Sequence, residues 1–142
     1  LQFIEKNKKN PHRTFILENN KARLNACKNK YIISKEHQLF IKDKILVLVD
    51  DSIVRGNTLK YLIDFIKEHK PKEIHFLSAS PPIINKCSYG VDFPDIEDLI
   101  ASKMTIPNIE KQLNIDSLTY LRKEYFDRDN YKDKFCLECF NN

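Results

Sequence analysis

The sequence predicts an α/β fold, a parallel sheet with flanking helices. A run of five apolar, mostly branched residues at 45–49 fits a buried strand, and the segment 74–77, which is apolar except for His75, offers a second strand. Between them, apolar residues recur at helical spacing from Leu59 to Ile66, before Pro71. A strand, a helix and a second strand in this order form a βαβ unit with parallel strands and a right-handed crossover.

The first predicted strand is the best defined. Its five consecutive apolar residues, Ile45–Val49, stand between Lys44 and Asp50 and are mostly branched. This predicts a strand that is buried on both faces, as in a parallel sheet. The helix that follows should end in the basic turn before Pro71, because basic residues favour the last turn of a helix and proline stops it. The second strand, Ile74–Leu77, completes the unit.

The rest of the chain has weaker periodicity. We expect a short strand at 14–16 and a loop over residues 17–42, with a helical turn near 21–27. After the extended exit that Pro81 and Pro82 impose, the apolar positions predict three short elements. These are a helix at 96–103, a second helix at 109–113, and a strand end or helical turn at 118–125.

Length and composition fit one modest globular domain. The chain has 142 residues, of which 42% are hydrophobic and 31% charged. We expect this domain to cover residues 1–126, with a polar C-terminal tail over 127–142 that contains two cysteines. Because the chain starts with Leu1 rather than methionine, we also expect it to be a piece of a longer protein.

Composition also argues against two classes of partner. No apolar run approaches the roughly 20 residues that cross a bilayer, and the N-terminus has no signal-peptide pattern. The net charge is +4, but the lysines are dispersed except at 6–9, unlike the clustered basic face of a nucleic-acid-binding protein. We therefore expect neither a membrane nor a nucleic acid as partner, and a cytoplasmic location.

The richest motif, Val47–Thr58, begins in the first strand. Two carboxylates, Asp50 and Asp51, stand at the carboxyl end of the strand, where ligands bind in open α/β sheets. A hydroxyl, a cation, a glycine and two small polar residues lead into the helix. A loop that opens a helix offers N–H donors to a phosphate, while carboxylates suit a neighbouring polyol or Mg²⁺. The pattern indicates a phosphorylated-sugar site; a phospho-acceptor receiver site and a structural turn with helix-capping acids are alternatives.

Cysteines are the second group with chemical potential. Four of them without secretory context favour a reducing compartment. Cys136 and Cys139 form a C-x-x-C pair, which can be a redox dithiol, half of a zinc site, a pair of cluster ligands or a chance occurrence. No βαβ pattern surrounds the pair, which disfavours a thioredoxin-type role. Cys87 is the natural further ligand, provided that the tail folds back.

The motif resembles the phosphoribosyl-diphosphate (PRPP) signature of type I phosphoribosyltransferases. Its wording at Val49–Gly56 is similar to that of the amidophosphoribosyltransferases, which start purine synthesis. Six further blocks resemble the same family in the same order, so the resemblance covers nearly the whole chain. They are Arg13–Ile16, Lys72–His75, Ser80–Ile83, Cys87–Asp92, Asp98–Ala101 and Ile115–Leu121. The resemblance implies the C-terminal part of a type I phosphoribosyltransferase domain.

Carried over by position, this resemblance implies a PRPP site. Asp50 and Asp51 would hold the ribose hydroxyls and the Mg²⁺ bound to PRPP, and Ser52 would help to hold the 5′-phosphate. The loop residues implied in phosphate binding are Arg55, Gly56, Asn57 and Thr58. The basic residues Lys21, Arg23, Lys28 and Lys30 fall where the family has a loop that orders over PRPP; a solvated basic loop is the alternative.

The resemblance also implies cofactors and partners. Many amidophosphoribosyltransferases carry a [4Fe–4S] cluster, and Cys87, Cys136 and Cys139 match three of its four ligands. The fourth ligand lies upstream of the matching region, and Cys27 does not match it. The full-length enzyme would combine PRPP with ammonia released by an N-terminal glutaminase domain, form 5-phosphoribosylamine, and assemble as a homo-oligomer.

The sequence departs from the family in several places. Nothing in it matches the glutaminase domain or the pyrophosphate-binding loop. His12 stands where the family usually has glycine, and Asn57 replaces the commonest threonine. The chain is therefore expected to hold part of the PRPP site and not to carry the whole reaction alone. The alternatives are a non-catalytic PRPP-binding regulator of the same fold and an inactive truncated paralogue.

Overall fold

A computed structural model describes residues 5–6, 31–32, 35–91, 95–127 and 134–141 of the chain. These residues fall into two compact units. The first comprises the described residues within Leu1–Leu46 and Asn57–Glu73, and the second those within Val47–Gly56 and Ile74–Asn142. The expected boundary between residues 126 and 127 stays a prediction.

In the first unit, short strands β1 (Glu5–Lys6) and β2 (Tyr31–Ile32) pair antiparallel. Helix α1 spans Lys35–Ile41. The prediction of a loop throughout 17–42 is therefore wrong at β2 and at α1. The apolar residues of α1 are consecutive, and Leu39 and Phe40 are 80% and 61% exposed while Ile41 is buried, so the segment lacks the spaced apolar positions that mark a helix. The predicted strand at 14–16 and the turn at 21–27 lie outside the described residues.

Helix α2 spans Asn57–Lys67 and confirms the predicted helix. Its buried side chains are Leu59, Ile63 and Ile66, at the i, i+4 and i+7 spacing of one helical face. The helix ends where predicted: the amide of Lys70 donates to the carbonyl of Lys67 (3.0 Å), and Lys70 itself has a left-handed φ of 55° just before Pro71.

The central sheet has three parallel strands in the order β3 (Ile45–Asp50), β4 (Glu73–Ser78) and β5 (Ser117–Tyr120). The two predicted strands are thus confirmed. The expectation that β3 is buried on both faces is wrong, since Val47 and Val49 are 57% and 69% exposed while the alternate residues are half-buried. The alternating exposure shows that only one face of β3 is covered, whereas a run of consecutive apolar residues predicts burial on both faces.

The core of the second unit is formed by residues of β4, of β5 and of the helices between them. Helices α3 (Ile100–Lys103) and α4 (Ile106–Leu113) pack against each other, and α4 packs on β5. The buried side chains of this core include Ile74, Phe76, Leu99, Ile100, Ile109, Leu113 and Leu118. The main-chain amides of residues 84 and 85 donate hydrogen bonds to the carbonyl of residue 139 in the tail, and these bonds attach the tail to the same unit.

Three predicted elements of the second unit are only approximate. The helix expected at 96–103 is broken: a 3₁₀ turn at Ile96–Asp98 is separated from α3 by extended, fully buried Leu99. Burial of Leu99 in the core takes precedence over helical continuity. The helix expected at 109–113 begins earlier, at Ile106, with Pro107 in its first turn, where proline is tolerated. At 118–125 both alternatives occur, β5 and then a 3₁₀ turn at Lys123–Asp127.

Candidate functional site

The carboxyl end of β3 holds the two acidic residues. Asp50 ends the strand, and its carbonyl accepts a hydrogen bond from the amide of Ala79 (2.9 Å), which fixes its main chain beside the end of β4. One carboxylate oxygen of Asp50 accepts from the amide of Asp51 (3.0 Å), and one of Asp51 accepts from the hydroxyl of Ser52 (3.0 Å). Both carboxylates are exposed, so two hard oxygen donors face solvent at the sheet edge where α/β proteins bind ligands.

Two buried residues, Ile53 and Gly56, fix the loop after the acidic pair. Ile53 is 3% exposed and fixes its middle in the core. Gly56 is buried and has a φ of 76°, a left-handed conformation that favours glycine. A Cβ added to Gly56 would lie 2.7 Å from Cδ1 of Ile100, closer than side-chain carbons pack. Gly56 therefore suits both the turn and the close approach to Ile100.

The Arg55 side chain is held by an acidic residue that the sequence did not single out. Its Nε lies 3.4 Å from Oδ2 of Asp98, and the arginine side chain is 26% exposed. One residue earlier, the carbonyl of Val54 accepts a hydrogen bond from the amide of Ile100 (3.0 Å). Positions 54, 55 and 56 thus each contact the segment around residues 98–100. The guanidinium of Arg55 is directed to Asp98, while the loop backbone adopts the glycine turn.

Asn57 and Thr58 are the first two residues of α2. The side chain of Asn57 is exposed and that of Thr58 is half-buried. The first amides of a helix have no partner within the helix, so a helix that opens directly after a glycine turn presents N–H donors of the kind that bind phosphate. No acidic residue stands in the first turn to oppose an anion.

The structure brings the tail to the segment that carries Cys87. The carbonyl of Cys139 accepts from the amides of Ile84 (2.9 Å) and Asn85 (3.1 Å), so the fold-back on which a site shared with Cys87 depends does occur. Cys87 and Cys139 are half-buried and Cys136 is exposed, and all three are free thiols. The amide of Tyr89 donates to the sulfur of Cys87 (3.4 Å).

The electrostatics of the tail cysteines follow from this arrangement. Burial raises the pKa of the Cys139 thiol, and the nearby Cys87 and Cys136 raise it further. Within the described parts of the chain, no group of three or more His, Cys, Asp or Glu side chains is arranged to hold a metal ion by itself. The three cysteines are therefore neighbours but do not constitute a formed metal site. Cys27 and the basic residues between 21 and 30 lie outside the described residues.

Comparison with known families identifies the fold that carries this loop. Residues 3–79 match the family described as the phosphoribosyl transferase domain, which is more than half of the chain and includes the whole acidic motif. The chain belongs to the phosphoribosyl transferase domain family. Its architecture is that of the type I phosphoribosyltransferase fold, as the resemblance implied.

Individual relatives of this phosphoribosyl transferase domain are amidophosphoribosyltransferases. The human enzyme is 39% identical over 126 residues, which are 87% of this chain and 24% of the relative. That of Archaeoglobus fulgidus is 37% identical over 131 residues, 89% of this chain and 28% of the relative. A solved structure, the glutamine PRPP amidotransferase from B. subtilis complexed with ADP and GMP, superposes with a TM-score of 0.75 at 32% identity. It is matched by 98% of this chain over 31% of its own length, so the chain spans about a quarter to a third of these relatives.

Sequence reasoning located the acidic pair and the loop but missed what supports them. Asp98 and Ile100 belong to a block that was matched to the family without a role, and no local pattern distinguishes Asp98 from its exposed neighbour Glu97. The contacts arise only from the tertiary fold of the phosphoribosyl transferase domain, because 43 positions separate Arg55 from Asp98 in the chain. None of the described helices is long and apolar enough to cross a membrane.

Proposed function

We propose that this phosphoribosyl transferase domain belongs to an amidophosphoribosyltransferase of purine synthesis. The enzyme forms 5-phosphoribosylamine from PRPP and ammonia derived from glutamine. The observation that carries the proposal is the exposed acidic pair at the carboxyl end of β3, followed by a buried glycine turn that opens α2. The names of its relatives support the choice of reaction within the fold family.

The acidic pair takes the ribose in this proposal. Asp50 and Asp51 accept hydrogen bonds from the two ribose hydroxyls, since both carboxylates are exposed and each has one oxygen engaged locally. The 5′-phosphate binds in the loop of Ser52 and Arg55–Thr58, where the glycine turn and the first amides of α2 supply N–H donors. Carboxylates on the ribose side and donors on the phosphate side match the two ends of a phosphorylated sugar.

The same carboxylates fit Mg²⁺. Magnesium is held in such sites by one or two carboxylates together with substrate oxygens, rather than by a complete set of protein ligands. In the described part of the chain, the second carboxylate oxygens of Asp50 and Asp51 have no hydrogen-bond partner, so each residue has an oxygen to give. When bound, Mg²⁺ would supply charge neutralisation for the diphosphate of PRPP.

The contribution of this chain to the chemistry is positioning. In the reaction a nitrogen–carbon bond forms at the anomeric carbon, while the bond from that carbon to the pyrophosphate oxygen breaks, and the bonding electrons leave with pyrophosphate. Because pyrophosphate is a good leaving group, the proposal assigns no general base to this chain. Asp50, Asp51 and the phosphate loop orient the ribose so that ammonia meets the anomeric carbon.

The cysteines are proposed to serve an iron–sulfur cluster. Thiolates are the ligands of [4Fe–4S] clusters, and the tail hydrogen bonds place the Cys136–Cys139 pair in the same unit as Cys87. The amide of Tyr89 already donates to the sulfur of Cys87, as amides around cluster sulfurs do. In this proposal the three thiols would supply three of the four ligands and would have to move together to do so, since the described residues do not hold them as a formed metal site, and the fourth ligand would lie upstream. The cluster would serve to attach the tail to the domain.

The remaining partners follow from the same proposal. Ammonia reaches the domain from an N-terminal glutaminase domain of the full-length enzyme, which is proposed to be a homo-oligomer in the cytoplasm. Free rather than paired thiols at all three described cysteines are compatible with a reducing compartment. The 127–142 tail is proposed as a separate segment that ends the domain.

An assay of the full-length protein, purified anaerobically, tests the proposal. With PRPP, Mg²⁺ and either glutamine or ammonium chloride, it should release pyrophosphate and form 5-phosphoribosylamine. Binding of PRPP without turnover from either nitrogen source would instead identify a PRPP-binding regulator. No binding at all would identify an inactive paralogue.

A further inference from the structure

The ribose-phosphate loop, residues 52–56, contacts a second segment of the same unit. This segment, residues 95–102, contains the 3₁₀ turn, buried Leu99 and the first residues of α3. Leu99 and Ile100 are 0% and 5% exposed, so they belong to the core. The hydroxyl of Ser102 donates to the carbonyls of Ile96 (2.7 Å) and Leu99 (2.8 Å), which fixes the break in the helix. The 95–102 segment is therefore a firm support for whatever contacts it.

Three consecutive loop residues make three different contacts with this segment. The carbonyl of Val54 accepts from the amide of Ile100 (3.0 Å). The Nε of Arg55 lies 3.4 Å from Oδ2 of Asp98. Gly56 lies so close to the Ile100 side chain that an added Cβ would be 2.7 Å from its Cδ1. A backbone bond, an ion pair and a packing contact together determine the conformation of the turn.

Arg55 is the one of these three whose role the fold leaves open. A free arginine beside a phosphate site would be an obvious direct ligand. Here the arginine side chain is 26% exposed, and its buried Nε lies 3.4 Å from Oδ2 of Asp98, an ion-pair contact without the geometry of a hydrogen bond. A further acid, Asp95, lies close enough for Arg55 to contribute to lowering the pKa of that carboxyl, after the larger effect of Lys86. Asp98 is therefore in ion-pair contact with Arg55, and Asp95 lies earlier in the same segment. Asp95 is itself paired with Lys86 (2.6 Å), which leaves Asp98 as the main partner of the arginine.

We propose that Asp98 is a positioning residue of the PRPP site, which acts through Arg55 to hold the turn at Gly56 in the conformation that binds the 5′-phosphate. The proposal rests on the proposed function and refines the part of Arg55 in it. Arg55 contributes through the shape of the loop, and the phosphate is bound by the N–H groups that this shape presents. The guanidinium stays on Asp98.

A double-mutant cycle on the full-length enzyme tests this role. Arg55→Gln and Asp98→Asn are made singly and together, and kcat and KM for PRPP are measured with ammonium chloride as nitrogen source. An ion pair of this exposure supports a change of about two- to fivefold. Each single variant should raise KM by about this factor with kcat within about twofold, and the double variant should be no worse than the worse single one. Asp98→Glu should recover most of the affinity, while the control Glu97→Gln, at an exposed neighbouring acid, should match wild type.

Two results would overturn the proposal. If the effects of Arg55→Gln and Asp98→Asn multiply in the double variant, then Arg55 acts on PRPP independently of Asp98. If Asp98→Asn has the KM of wild type, then Asp98 has no part in the site. An Asp98→Glu variant as impaired as Asp98→Asn would likewise contradict a role that depends on the carboxylate.

Hydrogen exchange separates this proposal from the function on which it rests. In the absence of PRPP, amides of residues 52–56 should exchange several-fold faster in Asp98→Asn than in Glu97→Gln, with α4 unchanged. If the wild-type protein neither binds nor turns over PRPP, the proposed function fails and the assignment of Asp98 to PRPP fails with it. Exchange that rises in that case would still show that Asp98 holds the loop, whereas unchanged exchange would show that it does not.

Discussion

Replacing Gly56 by alanine should disturb the loop after the acidic pair, the proposed ribose-phosphate site, more than the same change at Gly90 disturbs its own turn. Both glycines have a left-handed backbone, with φ of 76° and 93°. An added Cβ at Gly56 would stand 2.7 Å from Cδ1 of Ile100, whereas at Gly90 it would meet no atom of the described residues within 4 Å. The two substitutions share the backbone strain and differ in the contact, so Gly90→Ala is a matched control.

The magnitudes follow from these two terms. A left-handed conformation costs an L-residue about 1–2 kcal/mol, and this applies at both positions. Overpacking of a well-packed core adds about 1–3 kcal/mol, and this applies at Gly56 only. Gly56→Ala should therefore cost the folded loop about 2–5 kcal/mol. Since 1.4 kcal/mol corresponds to a factor of ten in affinity, PRPP binding should weaken by roughly thirtyfold or more.

A rescue experiment isolates the contact. Ile100→Val removes Cδ1, the atom that clashes, and alone costs about 0.5–1.5 kcal/mol. The double variant Gly56→Ala with Ile100→Val should bind PRPP more tightly than Gly56→Ala alone, as measured by calorimetry on the full-length protein. If Gly56→Ala binds PRPP as Gly90→Ala does, or if Ile100→Val restores no binding to Gly56→Ala, then contact between residue 56 and Ile100 does not limit PRPP binding.

Three further predictions concern the second unit. Tyr120→Phe should raise the free energy of unfolding by about 1 kcal/mol in a urea titration, because the Tyr120 hydroxyl is buried without a partner among the described residues. Burial also raises the pKa of Tyr120 to about 12, so the unfolded chain releases this proton at lower pH than the folded one, and wild type should lose stability between about pH 10 and 12 in a way that Tyr120→Phe does not. A steeper loss in the variant would contradict this. Glu110→Ala should cost about 1–3 kcal/mol and Glu110→Gln much less, since Oε1 of Glu110 accepts from the amide of Leu118 (2.8 Å); equal effects would mean that this bond contributes nothing. Serine at Cys87, Cys136 or Cys139 should lower the iron content of anaerobically purified full-length protein, while Cys27→Ser should not. If none of the first three substitutions changes the iron content, the protein does not bind a cluster through these cysteines.

The elements that the sequence predicted well are those that a local pattern of apolar residues determines. The run from Ile45 to Val49 and the helical face at Leu59, Ile63 and Ile66 mark their structures without help from the rest of the chain. Where long-range packing decides, prediction was poorer: burial of Leu99 breaks a helix that local spacing predicts as continuous, and α1 has too few apolar residues to show a period. The burial of β3 was overestimated because an apolar run does not show whether both faces of its strand are covered.

The candidate site divides in the same way. Asp50, Asp51 and the glycine turn are contiguous in the chain, so the sequence could predict that they lie together. The partner of Arg55 could not be predicted, because Asp98 belongs to no sequence motif and lies next to Arg55 only in the folded chain. The fold-back that joins the tail to the Cys87 segment was predicted only as a condition, since main-chain bonds from Ile84 and Asn85 to Cys139 leave no trace in side-chain pattern.

Calorimetric titration of the full-length protein with PRPP and Mg²⁺ is the direct test of the proposed ribose-phosphate site. Wild type should bind PRPP, and Asp50→Asn and Asp51→Asn should each weaken binding by at least tenfold, as expected from loss of a charge-assisted hydrogen bond worth about 1.5–3 kcal/mol. Asp64→Asn, an exposed carboxylate on α2 that pairs with Lys60, is the control and should bind as wild type does. Absence of PRPP binding by wild type, or binding that neither Asp50→Asn nor Asp51→Asn changes, would contradict the assignment of the ribose-phosphate site.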